Sequence, residues 1–420
     1  MATRDAFYRE ARTDLDGPLE GVRVLDVTTT VAGPRCGCVL ADYGAEVIKI
    51  ELSDPEDVAR RLPPILPGTD PPDSYVHATI NRNKKNISLD LRRARGRDVF
   101  HRLIQNSDIL VENFKQGTMA RWGCGYEQAR QTRLDIIYVS ITGFGQYGPY
   151  SGRPGYDPVA QAMSGFMQLN ADSDEAVPMK APVFLADEIA ALHGVMAALA
   201  ALQHRNRTGE GQHVDVSLLD SMIDSSTGLL SLAAQGVPTP RLGNTYAFAA
   251  PANAYRCRDG WVYALVVLDT HWKRLCGLLG RPELGDDPDY ATLQARLGKR
   301  QEMDQMLSDW CRSRTREEVI KSFESEQLAA GPVLTPAETA RDPHVVHREA
   351  IQEVTGKSGG TYRLAGPSAK FSRTPIRIRS RAPGVGEHSR EVLAEAGFSG
   401  QEIEELAADG IIYCAVREVC

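Results

Sequence analysis

The residues of this chain best suited to chemistry are two aspartates and a short run of cations. Asp187 follows an apolar run at 182–186 and opens a strongly periodic helical stretch. A carboxylate at a helix N-terminus stays ionised and rigidly aimed. Such a group can act as a nucleophile that splits one difficult step into two easier ones. The plain alternative is a helix N-cap, a role aspartate often fills. Asp157, within Gly155-Tyr156-Asp157-Pro158, is the rival acid, and its plain alternative is a turn residue. Arg82, Lys84 and Lys85 put three cations into the segment NRNKKN at 81–86. They read either as a solvated basic turn or as a clamp for multiply charged phosphates.

Other motifs point less far. Gly143-Phe144-Gly145-Gln146-Tyr147-Gly148 spells G-x-G-x-x-G after an expected strand. A dinucleotide site needs a helix to begin there, with backbone N–H groups facing a pyrophosphate. The chain instead continues with Pro149, Gly152, Pro154 and Gly155, which cannot form a long helix. The glycines are better read as a tight loop that approaches a ligand or a partner chain. The chain has no G-x-S-x-G elbow, P-loop or HExxH motif. The eight cysteines read as reduced thiols in cores, and His344 and His347 as surface residues, so no metal site is expected.

The elements that must position these groups begin with an apolar, β-branched strand at 22–27, a helix near 35–43 and a second strand at 46–51. This β-α-β start indicates a parallel α/β sheet. Residues 53–76 read as a long loop. Strands follow at 87–91, 108–112 and 134–141, with a helix at 95–105, which fits a doubly wound sheet. The clearest helix is 188–204, where Ile189, Leu192, Val195, Met196, Leu199 and Leu202 recur near a 3.6 period. A strand at 213–217 comes next. Beyond residue 225 a strand-like segment at 261–267 and helical segments at 270–279 and 300–325 mark a second, smaller domain. Short helices at 389–396 and 401–410 complete the chain.

At 420 residues the chain exceeds one small core. Its 42% hydrophobic and 25% charged residues are those of a globular protein. A net charge of −7 argues against a nucleic-acid binder but leaves room for a local basic pocket. The charged N-terminus lacks the apolar segment of a secretion signal. No run is read as approaching the ~18 apolar residues of a membrane span. A cytoplasmic location is expected.

Several segments, taken together and in order, resemble the class III CoA-transferase (CaiB–BaiF) family. They are 21–27 (GVRVLDV), Ala32-Gly33-Pro34, 44–51 (GAEVIKIE), 81–90 (NRNKKNISLD) and 111–114 (VENF). Also similar are 140–157 (SITGFGQYGPYSGRPGYD), 207–221 (RTGEGQHVDVSLLDS) and Gly386-Glu387-His388. The likeness runs from about residue 17 to 410. It implies an α/β fold with a Rossmann-like large domain, a smaller second domain and an interlocked dimer. The division expected is an N-terminal extension at 1–16, the first part of the large CoA-binding domain at 17–220, linker and small domain at 221–335, and a return to the large domain at 336–420.

In this family the nucleophile is an aspartate that follows Leu-Gly and opens a long helix, which corresponds here to Leu185-Ala186-Asp187. Ala186 replaces the usual glycine, and Glu188 stands where a small residue is common. The CoA contacts implied are Thr29, Thr30, Ala32, Asn113, Phe114, Arg121 and Trp122, with Lys84 as a further phosphate ligand and Tyr156 beside the site. A family arginine just after the second strand is replaced by Leu52. The Gly-rich lid of formyl-CoA transferases is missing, and residues 243–247 hold a comparable place.

The implied reaction moves CoA from an acyl-CoA to another carboxylic acid through an aspartyl anhydride and an aspartyl-CoA thioester. Backbone N–H groups near 143–145 or residue 30 would stabilise the oxyanions. CoA thioester is a substrate, and no permanently bound cofactor is needed. By analogy the donor is succinyl-CoA and the acceptor a larger dicarboxylate of the benzylsuccinate type. Two other readings share the fold. An α-methylacyl-CoA racemase carries a histidine base where Tyr156 stands, and a tyrosine with a pKa near 10 is a poor base. A non-catalytic CoA-binding subunit would pair with a paralogue, so the partner is either an identical chain or a related one.

Overall fold

The computed structural model describes residues 3–52, 56–66 and 73–415. By contact density the chain divides into two compact units. One is formed by residues 1–164, 181–230 and 344–420, the other by 165–180 and 231–343. Against the expected 221–335, the main segment of the smaller unit is 231–343, and residues 165–180 join it.

The larger unit is built on a seven-stranded sheet. Six strands are parallel: β1 (Arg23–Val27), β2 (Glu46–Glu51), β3 (Lys84–Leu89), β4 (Ile109–Glu112), β5 (Ile137–Thr142) and β6 (His213–Ser217). Their order is β3-β2-β1-β4-β5-β6, with the short strand Ile412–Tyr413 antiparallel at the β3 edge. Strands buried on both faces carry continuous apolar runs, and Val24, Leu25, Ile48, Leu110, Val111 and Ile137 are fully enclosed. The helices Ala94–Ile104, Ser389–Glu395 and Gly400–Ala408 bury Phe100, Leu103, Leu393 and Leu406 in the same core.

Three local expectations are corrected. β3 begins at Lys84 rather than at residue 87, because Lys84 and Asn86 are buried and satisfied by polar partners. Part of the loop expected at 53–76 lies outside the described residues, and the rest holds a short 3-10 helix, Val58–Arg61, and the start of the Tyr75–Asn81 helix. The 300–325 helix is two, Arg300–Arg312 and Arg316–Ser325, the second opened by a Thr315–Glu318 capping box.

The long helix Leu185–Thr208 departs from expectation in two ways. It is long and apolar enough, by length and composition, to cross a membrane. The face it buries is mainly a small one, Ala190, Ala191, Gly194, Ala198 and Ala201, joined by Val195 of the expected stripe. Gly194 shows why, since a Cβ there would lie 2.8 Å from Ile141 Cδ1 and 3.2 Å from Cys36 Sγ. Small residues let the helix lie close on β5 and on the helix Ala32–Asp42, while Leu192 and Met196 stay exposed.

In the smaller unit, a three-stranded antiparallel sheet of Ala252–Cys257, Gly260–Leu265 and Ala329–Pro332 packs on helices around Trp272, Leu307 and Phe323.

Candidate active site

The strand order decides where a ligand can lie. β1 pairs with β2 on one side and β4 on the other. The connections leave these two strands in opposite directions, and a crevice opens past their C-terminal ends. The loop after β1 brings Thr29, Thr30 and Ala32 there, and the loop after β4 brings Asn113 and Phe114.

Asn113 ties the two loops together. Its side-chain oxygen accepts from the Thr29 N–H at 2.8 Å, and its amide donates to the Thr29 carbonyl at 2.8 Å. Thr30 has φ 68°, a left-handed conformation that a β-branched residue adopts only when held. Asp57 holds it: Oδ1 accepts from the Thr30 N–H and the Thr29 hydroxyl, both at 3.0 Å. Burial alone would raise the Asp57 carboxyl, but Lys49 at 3.3 Å and the N–H groups of Ala59 and Thr30 bring it below its usual range.

Asp187 reaches the crevice from beside β5. The helix begins at Leu185, so Asp187 lies in its first turn and is not the cap. The capping carboxylate is Asp157, which accepts from the Ala186 N–H at 2.7 Å and more weakly from the Asp187 N–H at 3.4 Å. Gln161 Nε2 donates to the other Asp157 oxygen at 2.7 Å. The rival acid is therefore buried and engaged, and it aims the residue beside it. Burial, then the charge of Asp157, then that of Glu188 push the Asp187 carboxyl up to about 7. Glu188 pairs with Arg35 Nε at 2.9 Å, which limits its repulsion.

A cavity of about 340 Å³ is lined by Thr29, Thr30, Ala32, Asn113, Phe114, Tyr156 and Asp187. Seven of the residues expected from the sequence thus share one space. A second cavity, about 360 Å³ and largely apolar, shares Thr29 and Phe114 with the first. Trp122 lines it, packed edge-on to Phe114 with ring centroids 5.1 Å apart, and so does Leu52. Arg121 lines neither cavity, and its guanidinium donates to the Thr118 hydroxyl at 2.8 Å.

The phosphate clamp at 82–85 is corrected. Lys84 is fully buried and donates to Asp26 at 2.6 Å, the Pro34 carbonyl at 2.7 Å and Asn81 at 2.9 Å. All three ammonium protons are used inside the fold, so Lys84 has none to offer a phosphate. Arg82 pairs with buried Asp42 at 2.7 Å, and Lys85 lies among Glu46, Glu391 and Glu395. Two of the amides expected to face an oxyanion are also taken. The Gly145 N–H donates to Thr142 Oγ1 and the Thr30 N–H to Asp57.

Sequence reasoning missed Asp57, Lys115 and Arg153. Lys115 and Arg153 both line the cavity of Asp187. Asp57 lay in a Pro- and Asp-rich stretch read as loop, and Arg153 between Gly152 and Pro154 in a segment read for its glycines. Those glycines are needed: a Cβ on Gly143 would lie 2.6 Å from Gly155 Cα, so the two backbones touch. Among the described residues no group of three His, Cys, Asp or Glu side chains could hold a metal ion.

Comparison with known proteins places the chain in a family. Residues 19–389 match the model of CoA-transferase family III. The chain is 37% identical to a succinate–glutarate CoA-transferase of Agrobacterium fabrum, over 90% of this chain and 95% of that protein. It is 34% identical to the beta subunit of a succinyl-CoA–L-malate CoA-transferase of Chloroflexus aurantiacus, over 94% and 98%. A crystal structure of a CAIB/BAIF family protein from Brucella suis superposes with a TM-score of 0.79 at 32% identity, covering 91% of this chain and all of that one. The chain belongs to CoA-transferase family III and is a CoA-transferase.

Proposed function

We propose that the enzyme moves CoA between two carboxylic acids with Asp187 as the nucleophile. The observation that carries this is the position of Asp187 in a cavity walled by both switch-point loops. Its backbone is held by a helix that Asp157 caps from outside, so the group is aimed. The adjoining apolar cavity, joined through Thr29 and Phe114, suits the adenosine and pantetheine of CoA.

An Asp187 oxygen attacks the thioester carbonyl of the donor acyl-CoA. The C–S bond breaks, and a mixed anhydride and CoA thiolate form. The thiolate attacks the aspartyl carbonyl, releasing the donor acid as its carboxylate and leaving an aspartyl-CoA thioester. The acceptor carboxylate attacks that thioester and expels thiolate, giving a second anhydride. Thiolate attack on the acceptor's acyl carbon yields the new acyl-CoA and restores the Asp187 carboxylate. Anhydrides hydrolyse, so a recessed cavity that limits water favours transfer.

Succinyl-CoA is the donor to try first, given the names of the relatives. An interlocked dimer, of identical or related chains, remains our reading of the assembly. The exposed Leu192 and Met196 on the nucleophile's own helix supply an apolar face that a second chain would cover. The relative that is a beta subunit supports the related reading of a pair of unlike chains.

The test is mass spectrometry after incubation with succinyl-CoA and a hydroxylamine quench. A hydroxamate at Asp187, absent from Asp187→Ala, establishes the covalent route. A protein that binds CoA yet is never modified would remove Asp187 from the mechanism.

A further inference from the structure

The cavity around Asp187 holds two cations, Lys115 and Arg153, and among the described residues neither is paired with a carboxylate. Their loops differ. Lys115 follows Phe114, which walls both cavities. Arg153 belongs to the loop that runs into Asp157, and this loop borders the Asp187 cavity but not the second.

Arg153 is also pre-positioned. Its N–H donates to the Tyr150 carbonyl at 2.8 Å, and its guanidinium carbon lies 3.9 Å from the Tyr150 ring centroid. Tyr150 in turn packs edge-on to Phe144 at 5.9 Å, and the Gly143–Gly155 contact fixes the loop on the end of β5. Stacking occupies one face of the guanidinium and leaves the N–H edges for a planar, bidentate acceptor.

Resting on the transfer reading above, we propose that Arg153 takes the distal carboxylate of a dicarboxylic acyl group whose other carboxyl reacts at Asp187. The acids served are then dicarboxylic. A second carboxylate brought near the Asp187 carboxylate is repelled by it and gains from a counter-charge, and Arg153 supplies one on a loop that lines the Asp187 cavity and not the second. The two relatives described act on succinate, glutarate and malate by name, all dicarboxylic acids.

The experiment compares succinyl-CoA with butyryl-CoA, which has the same chain length with a methyl in place of the carboxylate. Binding of both, and of free CoA, is titrated on Asp187→Asn protein, which cannot turn over, with Arg153 intact or changed by Arg153→Met or Arg153→Lys. In Arg153→Met, succinyl-CoA should bind about 10–100-fold more weakly, with butyryl-CoA and CoA within about twofold, and Arg153→Lys should recover part of the loss. Equal weakening of all three ligands would make Arg153 a CoA phosphate ligand and overturn the proposal, as would no change in succinyl-CoA binding. Transfer by the unaltered enzyme is assayed separately. Absence of the Asp187 hydroxamate in that enzyme would sink the Asp187 reading and leave the binding ratio to judge Arg153.

Discussion

At the scale of single residues, the site turns on how Asp187 is ionised. On the proposed mechanism the nucleophilic carboxylate must have lost its proton, and Asp187 is raised to about 7. kcat/KM should therefore climb with pH and level off above about 7. Glu188→Gln removes a like charge and leaves Arg35 without its partner, so the climb should move to lower pH, and a shift upward would refute the electrostatic account. Glu112 is also buried and raised to about 7, mainly by desolvation, and accepts from the Phe114 N–H at 2.9 Å. Glu112→Gln keeps an acceptor for that N–H, so the climb should stay in place if Asp187 is its source. Linkage gives a second sign. The fold binds the Asp187 proton more tightly than the unfolded chain does, so its stabilising contribution fades as pH rises from about 4 to 7. Thermal melts should thus show Asp187→Asn gaining stability at pH 8 relative to pH 4.

At the scale of elements, the two loops at the switch point act as one because Asn113 bridges them. Asn113→Ala deletes both bonds to Thr29 and should weaken CoA binding by about 1–2 kcal/mol, roughly tenfold. Calorimetric titration with CoA would read this, and unchanged affinity would mean that the loops hold their places without the bridge. The loop of Arg153 depends on a backbone contact instead. Gly143→Ala would force its Cβ onto Gly155 Cα. Because the neighbour is main chain, it cannot turn aside, and transfer should fall at least tenfold while the far-ultraviolet spectrum is kept. Full activity would show that the loop has slack.

At the scale of the whole molecule, the buried ions beneath the sheet's C-terminal ends support the fold rather than the ligand. Lys84 and Asp26 are both fully enclosed. Lys84→Met strands the Asp26 carboxylate and should cost about 3–5 kcal/mol, seen as a lower Tm. A variant of normal stability with lost CoA affinity would instead return Lys84 to the phosphate site. Assembly is read by sedimentation velocity. A species of twice the chain mass supports the interlocked pair, and placing charges at Leu192 and Met196 should dissociate it.

The sequence by itself determined the α/β class, the places of all six parallel strands to within a few residues and the apolar nature of the long helix, and it singled out Asp187 as a candidate. Those features are written in local periodicity and in segments such as the one before Asp187, where neighbours along the chain carry the signal. It could not decide which cations face the ligand. Lys84, within a run of cations, and Arg153, alone between Gly152 and Pro154, both lie in polar stretches, and only the sheet order, with β2 between β1 and β3, brings Asp26 within reach of the first, while among the described residues no carboxylate pairs with the second. Nor could it show that the small face of the Leu185–Thr208 helix is the buried one, since that choice rests on how closely β5 and Cys36 approach. Asp157, Asp57 and Arg35 act across 30, 27 and 153 positions of sequence. Their roles come from strand order, which brings distant loops to one crevice, and pattern along the chain carries no record of it.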